Sequence, residues 1–183
     1  MTNQTQTPSS NTNNPCPSGF RVPTQHEWVL LGSEGGSSTS TSGDNFSVPN
    51  GTPTTSGLVW VPVKNGVPST DWTSDNSEST LSFYNYENNN GYALYTSDTW
   101  NGIADKDRLT DLEDPEPLMF LPAAGCRNYG NGRVYYTGNN GYYWSSTVNG
   151  GYGRHMYFLS SNVSATNYDG RAYGFSVRCL SEF

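Results

Sequence analysis

Nine of the chain's 13 tyrosines fall between Tyr129 and Tyr173, interleaved with glycine, asparagine and serine. Their chemistry is contact chemistry. A phenol offers a broad face and a hydroxyl at low entropic cost, and Gly, Asn and Ser add adaptable backbone and hydrogen bonds. That is the composition of a combining surface. Groups suited to covalent or metal chemistry are sparse. His26 and His155 are the two histidines, and no Ser-His-Asp arrangement can be argued from them. Cys16, Cys126 and Cys179 show no Cys-x-x-Cys spacing, so a zinc site is not expected. The acidic run Asp105, Asp107, Asp111, Glu113, Asp114 and Glu116 is interrupted by Lys106 and Arg108 and lacks the turn glycine of a calcium loop. A solvated acidic loop is the preferred reading. No catalytic residue, metal or cofactor is assigned.

Cys16 and Cys179 lie near opposite ends of the chain, with Cys126 between them. A Cys16–Cys179 disulfide with Cys126 left over is expected. In the chain-entropy model so long a loop contributes about 5 kcal/mol. Three free thiols in a reducing cell are the alternative.

The elements that must position these residues are short. Of 183 residues, 33% are hydrophobic and 14% charged, with 20 Gly and 11 Pro, which favours short strands and long loops. One domain is expected over 15–183, behind a disordered polar lead-in at 1–14 that has neither the basic start nor the apolar run of a secretory signal. The chain is then either a fragment of a longer surface protein or part of a particle such as a phage tail. A net charge of −7 argues against nucleic acid or an anionic membrane as partner, and no apolar run approaches spanning length.

Thr24-Gln25-His26-Glu27 matches a capping box, predicting a short helix that buries Trp28 and Leu31 and ends at Gly32. Residues 32–55 read as a long loop. Residues 57–63 read as a strand that Pro62 places at an edge or ends early, followed by a tight turn at Asn65-Gly66. Residues 80–84 and 91–95 could pair as a hairpin, and residues 118–122 read as a buried strand. Residues 143–147, 154–159 and 174–179 read as further strands. Along 154–159, Met156 and Phe158 share one face and His155, Tyr157 and Leu159 the other. If Met156 and Phe158 are core, the others form an exposed binding patch; the alternative is a strand covered on both faces.

Cys16-Pro17-Ser18-Gly19-Phe20-Arg21-Val22-Pro23-Thr24, then Glu27-Trp28, resembles the opening signature of the bacterial paralogous domain first named for Fibrobacter. Leu121-Pro122-Ala123-Ala124-Gly125, Gly141-Tyr142-Tyr143-Trp144-Ser145-Ser146 and Gly174-Phe175-Ser176-Val177-Arg178-Cys179 resemble its later signatures, in order. Within that family the chain is most similar to variable proteins of diversity-generating retroelements in gut bacteria and their phages. Members usually carry an upstream strand before the first signature, which this chain starts too late to include.

The resemblance implies an α+β, C-type-lectin-like fold of short antiparallel strands with one or two helices and long irregular loops. It implies a C-terminal segment, about 126–175, rewritten at asparagine codons by adenine-directed mutagenesis. The rewritten ligand-binding positions would be Tyr152, His155, Tyr157, Leu159, Ser164, Asn167, Tyr168 and Tyr173, with Tyr129, Tyr135, Tyr136 and Tyr142 earlier. Trp144, Met156 and Phe158 would be fixed scaffold. The implied function is a non-enzymatic receptor-binding or adhesin-type domain, outside the cell, on its surface or on a phage virion. Its partner would be a protein or glycan on a host or neighbouring cell. A carbohydrate-binding lectin without diversification is the alternative, although Val48-Pro49-Asn50 and Trp100-Asn101-Gly102 lack the carboxylates of familiar calcium-dependent sugar sites. A relative of the formylglycine-generating enzymes is a further alternative, but no cysteine pair stands beside a base.

Overall fold

The computed structural model describes residues 14–32, 45–47, 57–72, 90–103, 106 and 116–182. Two helices and twelve strands are assigned in them, and every paired strand is antiparallel. The class is therefore α+β, dominated by short strands.

The chain enters through β1 (Phe20–Arg21) and α1 (Gln25–Gly32). The capping box is present. The Glu27 N–H donates to Thr24 Oγ1 at 3.2 Å, and the Thr24 N–H donates to Glu27 Oε2 at 2.8 Å. The Arg21 guanidinium forks onto the same carboxylate, with Nη1 2.7 Å from Oε2. Arg21 and the two Thr24 donors hold the Glu27 carboxyl at about 2. Trp28 is buried and gives its indole N–H to the Trp144 carbonyl at 3.3 Å.

One four-stranded sheet has the order β4-β3-β5-β6, built from β3 (Leu58–Lys64), β4 (Val67–Pro68), β5 (Gly91–Thr96) and β6 (Met119–Pro122). The expected turn joins β3 to β4, with Asn65 and Gly66 both at positive φ, 52° and 77°. Pro62 is tolerated because its carbonyl faces the β4 side, accepting from Ser69 N at 2.8 Å. A strand residue's N and O point the same way, so the missing N–H costs no bond to β5. The other sheet has the order β2-β11-β10-β9, from β2 (Asn45–Ser47), β9 (Gly141–Asn149), β10 (Tyr152–Leu159) and β11 (Asn162–Gly170). Small sheets pair β1 with β12 (Leu180–Ser181) and β7 (Cys126–Arg127) with β8 (Val134–Tyr135).

The main core lies between the two large sheets. Trp60, Tyr92, Leu94 and Leu121 meet Tyr143, Met156, Phe158 and Val163, with Trp28 of α1 against them. Gly141 is required here, since a Cβ would sit 2.0 Å from the Phe158 ring. A second core covers the opposite face of the β3 sheet, where Val59, Val61 and Tyr95 pack on Trp100 and Ile103 at α2 (Ser97–Gly102). With both faces covered, β3 is buried from Val59 through Val63.

Several expectations need correction. Residues 174–179 form no strand. Gly174 bridges to Arg127 and Ser176 to Tyr143, two different neighbours, so no continuous ladder develops. The segment at 118–122 is paired from Met119, and Leu118 is 62% exposed. Gly91–Thr96 pairs with β3 and β6; its supposed partner at 80–84 lies outside the described residues. So do residues 1–13 of the lead-in and most of the 32–55 loop and of the acidic run. Asn14 is anchored, donating to the Phe20 carbonyl at 2.7 Å.

The Cys16–Cys179 disulfide is present, with Cα atoms 5.8 Å apart across 163 residues of sequence. It lies beside the β1–β12 pair and joins the two ends of the described chain. Cys126 is free and buried.

Replacing Cys16 and Cys179 by Ser lowers unfolding stability by about 2–5 kcal/mol, read as a lower urea midpoint, and thiol titration of the unreduced, unfolded parent finds Cys126 alone. Glu27 has a folded value below its ordinary 4.5, so its stabilisation is present above that pH and fades as pH falls toward 2. Glu27→Gln then costs on the order of 2 kcal/mol at pH 7, allowing for partial exposure. In urea titrations at successive pH values, the gap from the parent closes in acid.

Candidate functional site

Alternation along β9 and β10 decides which rings face the core. Gly141, Tyr143, Met156 and Phe158 share the core face; Tyr142, Trp144, His155 and Tyr157 share the other. Tyr142 stands opposite Tyr157 with ring centroids 5.0 Å apart, and Trp144 stands opposite His155 at 5.9 Å. Asn140, just before β9, donates from Nδ2 to both Tyr142 and Tyr157 hydroxyls at 3.0 and 3.2 Å. Burial pushes both phenols up.

The segment after β11 folds over this face. Phe175 contacts Trp144 at 4.4 Å, His155 at 4.7 Å and Tyr142 at 4.9 Å. Tyr173 stacks on Phe175 at 5.5 Å and meets Tyr129 edge-on at 5.0 Å. A continuous aromatic chain therefore runs Tyr129–Tyr173–Phe175–Tyr142–Tyr157. Beside it opens a pocket of about 230 Å³. Cys126 and Asn128 line it at and just after β7, Tyr135 and Tyr136 at and just after β8, and Asp169 from β11. Tyr142, Tyr173 and Phe175 complete the wall.

Two backbone features set this wall. Gly125 has φ 69°, and a Cβ there would lie 2.1 Å from the Tyr135 carbonyl, so only glycine lets β7 and β8 approach. Tyr136 has φ 63°, in the left-handed region that side chains rarely occupy. A strained residue among pocket-lining groups is a mark of functional sites.

His155 is fully buried by Trp144, Tyr142 and Phe175, and its Nε2 lies 3.0 Å from Asp169 Oδ2. Desolvation pushes its pKa down, against the Met156 carbonyl and Asp169. Burial, then Asp169, push the Cys126 thiol up. That is the opposite of the depression a nucleophilic cysteine needs.

The candidate ligand residues divide. Tyr135, Tyr136, Tyr142 and Tyr173 line the pocket; Tyr129 and Tyr157 extend its aromatic wall. Tyr152 and Tyr168, both 51% exposed, meet edge-on at 5.6 Å with the Arg154 guanidinium over Tyr168. By strand alternation they occupy the sheet face opposite His155 and Asp169, forming a separate patch. Leu159 is partly buried, its carbonyl accepting from Tyr92 OH at 2.9 Å. Asn167 is partly buried and accepts from the Tyr168 N–H.

The exposure expected at two positions is wrong. His155 does share a face with Tyr157, but the overlying Phe175 segment seals it. Ser164 is buried on the stretch of β11 held between β10 and β2. Sequence reasoning also missed Asp169, Asn128, Asn140 and Phe175 as site residues, and left Cys126 without a role. Only Phe175 had a signal, its place in the last signature motif.

The fold and site together define an antiparallel α+β domain with an aromatic-walled pocket carrying one carboxylate. Residues 96–180 match the model of a family described as a domain of unknown function (DUF8237). The matched stretch runs from the α2 N-cap to β12 and contains every residue lining the pocket. No curated protein and no solved structure matches the chain.

The His155 environment has a pH consequence. The folded value lies below the ordinary 6.5, so the unfolded chain binds the proton more readily and stability falls as pH drops below that value. Between pH 7.5 and 5.5 the urea midpoint of the parent declines, and His155→Gln flattens that dependence. An unchanged parent midpoint would show that Asp169 and the Met156 carbonyl fully offset burial.

Proposed function

We propose that the chain is a non-enzymatic ligand-binding domain of receptor-binding or adhesin type, displaying a tyrosine-rich surface on a C-type-lectin-like scaffold. The observation that carries the reading is the aromatic chain from Tyr129 to Tyr157 beside a small pocket, built on the outer face of a sheet whose inner face is core. Rigid rings with hydroxyls at the rim dominate affinity when a ligand covers them. The residue types at Tyr129, Tyr135, Tyr136, Tyr142, Tyr157 and Tyr173 fit diversification from asparagine codons. The disulfide fits an oxidising compartment outside the cytosol. Among the described residues, no helix is long and apolar enough to cross a membrane. The partner is a protein or glycan on a host or neighbouring cell surface.

The test is an array of glycans and bacterial surface proteins probed with the full chain, followed by variants. Tyr129 is 66% exposed and Tyr136 45%. Tyr129→Ala and Tyr136→Gly weaken an array hit at least tenfold. Tyr129→Ala changes stability by less than about 0.5 kcal/mol. Tyr136→Gly relieves the left-handed backbone and leaves stability equal or higher by about 1 kcal/mol. A hit that survives both, yet is lost on Tyr168→Ala, would move the site to the opposite patch. An array with no hit would overturn the reading.

A further inference from the structure

The pocket's lining has a charge pattern that the ligand-binding reading leaves open. Five lining residues are aromatic, Tyr135, Tyr136, Tyr142, Tyr173 and Phe175, and Asp169 is the only charged one. The rings come from three separate stretches of chain, and Phe175 stacks on both Tyr142 and Tyr173, at interplanar angles of 24° and 22°. Aromatic rings carry negative faces and attract cations most strongly where water is excluded. Asp169 is within reach of a ligand: its side chain is 43% exposed, and its side-chain partner among the described residues is the buried His155, 3.0 Å away. Arg127, next in sequence to the lining Cys126, sends its guanidinium to the Gly132 carbonyl at 2.6 Å.

We infer that this pocket is an aromatic cage for a methylated ammonium group, with Asp169 as counter-charge, the tyrosine rings as its walls and Phe175 packed behind Tyr142 and Tyr173 as their support. The inference rests on the ligand-binding reading and names the head group it would take. At about 230 Å³ the pocket falls below the roughly 300–1,000 Å³ that encloses a drug-sized ligand. It suits a head group whose remainder lies outside. A trimethylammonium ion has no N–H to satisfy, so rings and a single carboxylate are sufficient partners. A buried sugar brings several hydroxyls that each need a partner. Asn128 Oδ1 is already engaged, accepting from the N–H groups of Gly130 and Asn131.

The experiment is a calorimetric titration of the full chain with four probes. These are choline, its uncharged tert-butyl analogue 3,3-dimethylbutan-1-ol, and one lysine peptide with and without trimethylation. Choline or the trimethylated peptide binds saturably, and the uncharged analogue at least about tenfold more weakly. The better of the two trimethylammonium probes tells whether the source is a choline-type head group or a methylated protein. Asp169→Asn lowers choline affinity about tenfold and leaves the analogue unchanged. Should that variant fail to fold without its His155 contact, Tyr136→Gly removes a wall while keeping the carboxylate, and lowers choline affinity by itself. Equal binding of choline and the analogue, equal binding of the lysine peptide with and without trimethylation, or saturation by neither trimethylammonium probe, overturns the inference. If an array hit is lost on Tyr129→Ala while choline fails to bind, the cation cage alone falls. If nothing binds in either experiment, both readings fall.

Discussion

Tyr92 and Phe158 meet edge to face across the gap between the two four-stranded sheets, 5.1 Å apart at 86°. The same Tyr92 gives its hydroxyl to the carbonyl of Leu159, the next residue along β10. Trp60, Trp72 and Tyr143 complete the ring of contacts around this pair. Fixing Phe158 inward fixes the parity of β10. Tyr157 must then point away from the core, opposite Tyr142 on β9, because successive side chains alternate. A one-residue slip would send the outer aromatic face inward. The pocket thus depends on a core contact that touches none of its lining atoms.

The outer face is completed by long-range closure. The disulfide and the β1–β12 pair hold the two ends of the described chain together. Bridges from Gly174 to Arg127 and from Ser176 to Tyr143 lay the segment carrying Tyr173 and Phe175 over β9 and β10. His155 is buried by that covering and not by the core. A residue with outward parity can therefore be as inaccessible as one in the interior.

What was legible in the sequence was local. The capping box, the Asn65-Gly66 turn and the alternation at 156–158 each involve residues within a few positions of one another. Their chemistry needs no knowledge of the rest of the chain. The 162–170 strand was not legible, because Asn, Ser, Thr, Tyr and Asp along it give no apolar period; it is held by β10 on one side and β2 on the other. Nor could the site be read in full. Asp169 meets His155 from fourteen residues away, and Phe175 reaches Tyr142 from the irregular segment after β11. The 174–179 stretch misled for the converse reason. Its residues favour strands, but its hydrogen-bonding neighbours belong to different elements.

Two kinds of tyrosine coexist in this frame, and their hydroxyls separate them. Tyr92 and Tyr143 each donate to a backbone carbonyl, of Leu159 and Pro122. Deleting either phenol would take a donor from a main-chain carbonyl and open a cavity between the sheets. The outer tyrosines bond to side chains instead: Tyr142 and Tyr157 to Asn140, and Tyr135 to Asn131. Replacing one of them leaves the ladder beneath intact, although the buried Asn140 would lose an acceptor for its amide on loss of Tyr142 or Tyr157. A sheet built this way depends least on the outer residues that solvent reaches and more on His155, which the Phe175 segment seals. The backbone is specified by the inward residues and by the glycines at 125 and 141, where a Cβ would collide with a neighbour.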